Sequence, residues 1–463
     1  MRKPRPAPLV FVSLLGALLL TVLPSQVRSQ APAPPPPSLP PDAAQPAVPP
    51  GAPDQVTLEL QRNQRLKIRL AIPKYRAAGF GSPGSAAAAE VEGTVRRDLD
   101  YSGYFEIQGP EQLAGLTLAG DISTDRDVYR SAGNDVLLAG DLREEEGKIV
   151  FEGRLYDLKS GQSILAKRYR GSFTTARRIG HTFADEVIRY LTGGAGFALS
   201  EIAYVSERGK SKEIWLMDYD GGNPRQVTGH RSTSMSPAWD PAGDGVAYTS
   251  FVNGPPGIFF AEIASGKKRP MVTSGSLNIS PSFSPDGQRI VFARSVSGNI
   301  EIFTSDRSGG NLRRLTQSAA IDASPAWSPK GGVIAFTSSR AGNPQVYVMD
   351  EEGSNPRRLS FDGTYSDGAA WSPDGGEVAY ASRRDGRFQI AVTNVVTLQT
   401  RVLTGGPGEN ESPVFSPDGR KIAFTSRRSG TKQIYVLDAA DGANVRQVTT
   451  VGSNDMADWS RPR

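Results

Sequence analysis

The stretch SPSFSPDGQRIVFA, at residues 280–293, combines two Ser-Pro pairs, an aromatic residue and Pro-Asp-Gly with an alternating apolar run. Near-copies lie at 236–249, 324–337 and 412–425, and a looser copy lies at 368–381. The aromatic residue recurs at intervals of 44 residues, at Trp239, Phe283, Trp327, Trp371, Phe415 and Trp459. A fixed period of this kind indicates a repeat protein in which each copy is one structural unit.

One repeat contains four short runs that are separated by turns. In the third copy the runs are SPAW (324–327), VIAFTS (333–338), QVYVMD (345–350) and RRLS (357–360). Four antiparallel strands in a repeat of about 40–50 residues are typical of a β-propeller blade. The Pro-Asp-Gly positions suit tight turns, so we expect Asp286, Asp374 and Asp418 to shape turns and not to act as acids or bases.

Counting the strands predicts how the ring closes. The second-strand motif occurs six times, at Ile202, Val246, Ile290, Ile334, Val378 and Ile422. Residues 201–206 have no first strand before them, and residues 455–460 have no second strand after them. We therefore expect these two segments to complete one blade together, which gives an all-β six-bladed β-propeller over residues 199–463.

Residues 55–198 show a mixed pattern, which predicts an α+β amino-terminal domain before the propeller. Helical periodicity at 85–99 places Ala88, Val91, Val95 and Leu99 on one face, and at 174–194 it aligns Ile179, Phe183, Val187 and Leu191. Alternating or apolar runs at 66–73, 136–142, 149–158 and 163–169 predict strands.

The first 54 residues indicate export. Arg2, Lys3 and Arg5 precede the apolar core 9–23, which is too short for a membrane span and predicts a signal peptide over residues 1–29. Residues 30–54 are proline-rich and predict an extended linker. The chain has no cysteine, so disulfides and a lipid-modified amino terminus are excluded. We expect a periplasmic protein with no membrane span after signal removal.

Motifs for catalysis and cofactor binding are weak or missing. Residues 79–84 match G-x-G-x-x-G, but Pro83 lies inside the turn and no alternating βαβ series follows, so we expect a flexible glycine-rich loop. His181 and Asp185 are four residues apart without a third ligand, and we expect His181 to lie at the surface or to cap a helix. The sequence predicts no catalytic residue, no cofactor and no metal.

The net charge of +5 is only mildly basic, and no dense block of lysine and arginine occurs, so no nucleic-acid partner is expected. An alternative of a different class remains open: a secreted propeller enzyme, or a carbohydrate-binding propeller, that acts in the central channel. Such chemistry would require histidine, glutamate or arginine side chains that converge on the inner strands.

The order of the domains and the junction between them resemble the TolB family, the periplasmic component of the Tol–Pal system. The matching junction residues are Gly180, His181, Thr182, Asp185, Glu186, Leu191, Thr192, Gly193, Phe197 and 202–205. The resemblance implies a non-enzymatic adaptor that maintains the outer membrane and acts in constriction during cell division. It further implies that the lipoprotein Pal binds at the propeller mouth and that TolA, of the TolQ–TolR–TolA complex, binds through the amino-terminal segment.

Two sets of residues are candidates for these contacts. Five residues before each repeat aromatic, the chain carries a polar residue in every copy: Ser234, Asn278, Asp322, Ser366, Asn410 and Asn454. The next position varies, as Met235, Ile279, Ala323, Asp367, Glu411 and Asp455. Both positions lead into the innermost strands, so we expect them to surround one mouth of the channel. The alternative for the polar set is that its side chains only form the turns before these strands.

From these sets we predict Pal contacts at Met235, Asn278, Ile279, Asp322, Asp367, Asn410, Glu411 and Asp455. The strand 55–60, with Val56, Leu58 and Leu60, is the predicted TolA-binding strand. We expect the protein to be a monomer.

Overall fold

The computed structural model describes residues 67–116, 122–406 and 408–462. The predicted signal peptide, the proline-rich linker and the candidate strand 55–60 lie outside these residues.

A mixed sheet and two long helices form the amino-terminal domain. Its strands are β1 (Ile68–Ala71), β2 (Arg76–Ala78), β3 (Phe105–Gln108), β4 (Val136–Glu145), β5 (Lys148–Asp157) and β6 (Ser163–Gly171). Its helices are α1 (Ser82–Ser102), α2 (Pro110–Leu113), α3 (Ile122–Ser131) and α4 (Ala176–Thr192), and a 3-10 turn covers Phe173–Thr175. The sheet order is β3-β1-β4-β5-β6, with β2 also paired to β4. The predicted α+β class is confirmed, whereas β2, β3, α2 and α3 were not predicted.

Helices α1 and α4 pack together because their apolar faces share one core with the sheet. Val91, Val95 and Phe183 are fully or almost fully buried in this core. Gly180 allows α4 to approach α1 closely, and Gly153 in β5 allows α4 to approach the sheet. A Cβ on Gly180 would lie 2.7 Å from the Thr94 Cβ, and a Cβ on Gly153 would lie 2.3 Å from the Phe183 ring.

The glycine-rich stretch 79–84 is not a flexible loop throughout. Gly79 has a φ of 78° and turns the chain directly after β2, and helix α1 begins at Ser82. Pro83 lies in the first helical turn, where its fixed φ is favourable and its missing N–H costs nothing. The loop prediction was therefore wrong for the second half of the stretch.

Six four-stranded antiparallel sheets form the propeller. Blade 1 contains β10 (Ser234–Trp239), β11 (Gly245–Ser250), β12 (Gly257–Glu262) and β13 (Lys268–Val272). Blade 2 contains β14 (Asn278–Phe283), β15 (Arg289–Val296), β16 (Asn299–Asp306) and β17 (Arg313–Arg314). Blade 3 contains β18 (Asp322–Trp327), β19 (Val333–Ser338), β20 (Gln345–Asp350) and β21 (Arg357–Arg358). Blade 4 contains β22 (Ser366–Trp371), β23 (Glu377–Arg384), β24 (Arg387–Asn394) and β25 (Thr400–Val402). Blade 5 contains β26 (Asn410–Phe415), β27 (Lys421–Ser429), β28 (Thr431–Asp438) and β29 (Arg446–Gln447).

The closing blade joins both ends of the propeller. It contains β30 (Ser453–Trp459) paired with β7 (Glu201–Glu207), followed by β8 (Lys212–Asp218) and β9 (Arg225–Gln226). Trp459 lies opposite Ile202, and its Nε1 donates a hydrogen bond of 2.8 Å to Ser200 Oγ. The carboxylate of Asp458 accepts the backbone N–H of Trp239, which ties the closing blade to blade 1. The predicted six blades and the predicted closure are confirmed.

The two Ser-Pro pairs in the repeat have different tasks. The first pair makes a bulge in the innermost strand, where Ser280 has a φ of 55° and the register shifts between Ile279 and Ser282. The second pair starts the turn to the next strand. There Ser284 Oγ donates to Asp286 and accepts the N–H of Arg289, as expected for a turn-forming aspartate.

Candidate partner-binding face

Strand pairing gives the propeller two distinct faces. In blade 1, Ser234 lies opposite Ser250, and Ser250 lies opposite Gly257. The starts of the first and third strands and the end of the second strand therefore meet at one edge, which we call the open face. The opposite edge carries the turns between first and second strands and between third and fourth strands, and we call it the domain face.

The amino-terminal domain contacts the domain face. Arg177 of α4 binds Asp218 at the end of β8 (Nε to Oδ2, 2.8 Å) and Asp220 in the following turn. Arg420, in the turn before β27, donates to the carbonyl oxygen of Ser102 at 3.0 Å. Because these contacts lie at strand ends on the domain face, the open face is directed away from the amino-terminal domain.

His181 belongs to this contact between the domains and not to the surface. Its side chain is buried, its Nδ1 lies 2.7 Å from Asp98 Oδ2, and its Nε2 lies 3.9 Å from Asp218 Oδ2. Tyr219 also donates to Asp98, whose pKa is raised by burial. The prediction of a surface or capping histidine was wrong, because Asp98 comes from α1, 83 residues earlier in the chain.

Asp185 was the second residue of the pair considered as metal ligands. Its carboxylate instead binds backbone groups at the junction to the propeller. Its carboxylate accepts the backbone N–H groups of Phe197 and Ala198 at 2.8 and 2.9 Å, which fixes the start of the propeller segment. Within the described residues, no group of three or more potential ligands could hold a metal ion. In the same ranges, every helix is too short or too polar to cross a membrane.

The polar set at the starts of the innermost strands is fully buried in all six blades. Asn410 donates to Gln389 Oε1 of blade 4 at 2.9 Å and accepts from Arg428 at 3.1 Å. Asp322 accepts from Arg340 at 3.0 Å, and Asn278 accepts from Arg294 at 2.9 Å.

The predicted contact residues Asn278, Asp322 and Asn410 thus have no surface for a partner to contact. Their side chains turn into the blades because buried polar groups need hydrogen-bond partners. Met235 and Ile279, at the next position, are also buried, with 6% and 4% of their surface exposed.

The remaining three predicted residues, Asp367, Glu411 and Asp455, are partly exposed at the open face. We call them the acidic trio. Lys432 Nζ lies between two of them, at 3.2 Å from Glu411 and 2.6 Å from Asp455. Asp367 accepts a hydrogen bond of 2.7 Å from Thr337 Oγ1. Three of the four acidic residues of the predicted site are therefore partly exposed on one face, in three consecutive blades, whereas the fourth, Asp322, is buried.

Lys432 is the cation that pairs with the acidic trio, and it contacts two of the three carboxylates. Burial raises the pKa of Glu411 in spite of the nearby Lys432. Burial by itself would lower the pKa of Lys432, but Asp455 and Glu411 raise it overall, so the lysine stays charged. Burial also raises the pKa of Tyr365, whose hydroxyl faces the same charges and has no hydrogen-bond partner among the described residues.

The channel mouth at the open face therefore favours a partner that presents a hydrogen-bond donor or a positive charge to the acidic trio. Sequence reasoning missed Lys432 and Tyr365 because their types are not repeated at 44-residue spacing through the blades.

Comparisons with known proteins agree with this architecture. The family described as TolB beta propeller domain matches residues 188–413 and 368–462, and the family described as TolB amino-terminal domain matches residues 56–164. The chain is 36% identical over 236 residues to a Tol-Pal system protein TolB of Geobacter sulfurreducens, covering 50% of this chain and 48% of that protein. It is 34% identical over 214 residues to a protein TolB homolog of Chlorobium chlorochromatii, covering 46% and 48%. The chain thus spans about half the length of the curated relatives it matches.

Among solved structures, the crystal structure of TolB from Acinetobacter baumannii is similar over 85% of this chain and 97% of that one. The TM-score is 0.74 and the identity is 26%. The propeller match covers more than half of the chain, and a separate match covers most of the domain before it. The chain therefore belongs to the TolB family.

Proposed function

We propose that this chain is a non-enzymatic adaptor of the Tol–Pal system in the periplasm, which helps to maintain the outer membrane and to constrict it during division. Curated relatives carry the name Tol-Pal system protein TolB, which supports this role. A signal-like amino terminus supports export. We further propose that the protein acts as a monomer.

The observation that carries the proposal is the separation of the two faces. Helix α4 and the end of α1 occupy the domain face through Arg177 and Ser102. The opposite face has a mouth with partly exposed acidic side chains in three adjacent blades. We propose that Pal binds at this mouth and contacts the acidic trio, while the buried polar set only holds the strands in place.

Neutralising two members of the trio tests the Pal site. Asp367→Asn with Glu411→Gln keeps the side-chain shapes and removes up to two negative charges. We expect Pal, prepared without its lipid, to bind at least about tenfold more weakly by calorimetry, which corresponds to about 1.4 kcal/mol. The control is Asp286→Asn with Asp418→Asn, which makes the same charge change in turns on the domain face. Equal affinity in both double variants would exclude the mouth as the Pal site.

For TolA we propose the segment with Val56, Leu58 and Leu60, which lies outside the described residues. Its alternation favours pairing with an exposed strand of a partner. We expect deletion of residues 30–60 to abolish TolA binding in a pull-down, while Pal binding stays intact or becomes stronger. Loss of Pal binding with TolA binding retained would reverse the assignment.

A further inference from the structure

In blades 4, 5 and the closing blade, the turns between second and third strands and the strand ends beside them carry positive charge without ion-pair partners at the open face. Five exposed side chains contribute to it, and we call them the arginine crescent: Arg208, Lys210, Arg383, Arg387 and Arg427. None of them forms an ion pair with an acidic side chain of the described residues. Arg208 stacks on Trp215 at 3.7 Å and bonds to Tyr204, and Arg383 bonds to a backbone carbonyl oxygen.

The acidic side chains on the same rim do not neutralise the positive charge of the arginine crescent. Glu207, Asp362 and Asp385 are exposed there, and Asp362 already lies 3.3 Å from another arginine, Arg384. Glu409 accepts the backbone N–H of Phe388.

The crescent is confined to one half of the face. In blades 1 and 2 the corresponding turns, at 251–256 and 295–298, contain no charged residue. In blade 3 the positions that correspond to Arg383 and Arg387 are Ser339 and Asn343, and the arginine in that turn, Arg340, is held by the buried Asp322. Blades 4, 5 and the closing blade therefore combine an outer rim of four arginines and one lysine, which form no ion pair with the described residues, with the acidic trio nearer the channel.

We propose that the partner of the open face is a protein that presents acidic side chains to the arginine crescent, around a neutral or basic centre that faces the acidic trio. This inference rests on the proposed function and adds the chemistry of the contact. Arginine binds carboxylates in a two-pronged geometry, and unpaired rim charges accelerate association with a complementary surface. A continuous polyanion, such as a cell-wall polymer, would fit less well, because the acidic trio would repel it at the centre.

The test is the triple variant Arg383→Glu, Arg387→Glu and Arg427→Glu, with lipid-free Pal as the probe. Association rates are measured by stopped-flow fluorescence at about 50 mM and 500 mM salt, because high salt screens exposed charges. We expect the triple variant to associate at least about tenfold more slowly at low salt and to differ little at high salt. The neutral triple variant with glutamine at the same positions should show an intermediate rate.

The matched control is Lys267→Glu, Lys268→Glu and Arg269→Glu, three exposed positive residues at the turn and outer strand of blade 1 on the domain face. This control makes the same change of charge, and its association rate with Pal should stay within about twofold of the rate of the unaltered protein. Thermal melting of all variants checks that the propeller is folded, and the glutamine variant keeps the test valid if the glutamate variant melts early.

The outcomes separate the two proposals. If the unaltered protein does not bind Pal, the proposed function fails. If it binds Pal and the crescent variants bind at the same rate, the function stands and the crescent proposal is overturned. If the crescent variants lose binding to purified cell-wall sacculi but not to Pal, the crescent serves a polyanion, and the proposal of an acidic protein surface is wrong.

Discussion

At the scale of single residues, Asp458 has a largely enclosed carboxylate whose ionisation lowers the stability of the fold. Burial raises its pKa to about 6, although the backbone N–H groups of Trp239 and Trp459 lower it in part. Because the folded-state pKa exceeds the unfolded one, its contribution to stability is fully present below about pH 4 and is lost as the pH rises through about 6. We expect Asp458→Asn to raise the free energy of unfolding at pH 7.5 by about 1–3 kcal/mol and to have little effect at pH 4, as measured by urea titration.

The control for this prediction is Asp286, an aspartate whose pKa is lowered in the folded protein. The Ser284 hydroxyl lowers the pKa of Asp286, whose stabilising contribution is present at neutral pH and is lost as the pH falls. Asp286→Asn should therefore destabilise the protein slightly at pH 7.5. If Asp458→Asn were also destabilising at pH 7.5, and the loss disappeared at pH 4, Asp458 would be ionised in the folded protein and its charge would stabilise the closing blade.

At the scale of secondary-structure elements, strand β30 holds the ring closed. Removing residues 455–463 would leave β7 with an unpaired edge and would take Trp459 out of the core that it shares with Ile202 and Tyr204. We expect Trp459→Ala to lower the free energy of unfolding by about 3–5 kcal/mol, and we expect the truncation to lower the melting temperature further. Calorimetry checks both. Removal of residues 461–463 alone should have almost no effect, and an unchanged melting curve for the longer truncation would contradict the closure.

Elements whose contacts are local were predictable from the sequence. The turn at Ser284 and Asp286 is made within a few residues, so the repeat reveals it directly. The buried polar set was harder, because the partner of Asn410 is Gln389 in the neighbouring blade. The environment of His181 likewise depends on a residue 83 positions away. Periodicity indicates which residues share a strand or a face, but it does not indicate which polar groups meet across the fold.

At the scale of the whole molecule, Arg177 couples the two domains. It binds Glu90 within its own domain and Asp218 and Asp220 in the propeller. Burial would raise the pKa of Asp220, but Arg177 lowers it overall, so the cation stabilises the ionised carboxylate. Arg177→Ala leaves three carboxylates without this cation, and we expect a loss of about 3 kcal/mol at neutral pH. Calorimetry should then show two transitions that are further apart than in the unaltered protein.

Arg225→Ala is the matched control for this coupling. Arg225 pairs with Glu201 inside the closing blade and does not link the domains. Its loss should lower stability slightly without changing the separation of the transitions. If Arg225→Ala separated them as much as Arg177→Ala, the coupling between the domains would not depend on the ion pairs at the domain face.

The closing blade also has a consequence for the order in which the chain assembles. Each of the other five blades is built from one continuous stretch, whereas Glu201 and Ser460, which bond to each other in the closing blade, are 259 residues apart in sequence. Bringing distant segments together is slow, because the entropy of a long loop must be lost before any contact rewards it. Five blades can thus form early as a curved, open stack, and the ring becomes complete only in a final, late step. By the same reasoning, the seam between β30 and β7 is where the ring should open first under denaturant or force.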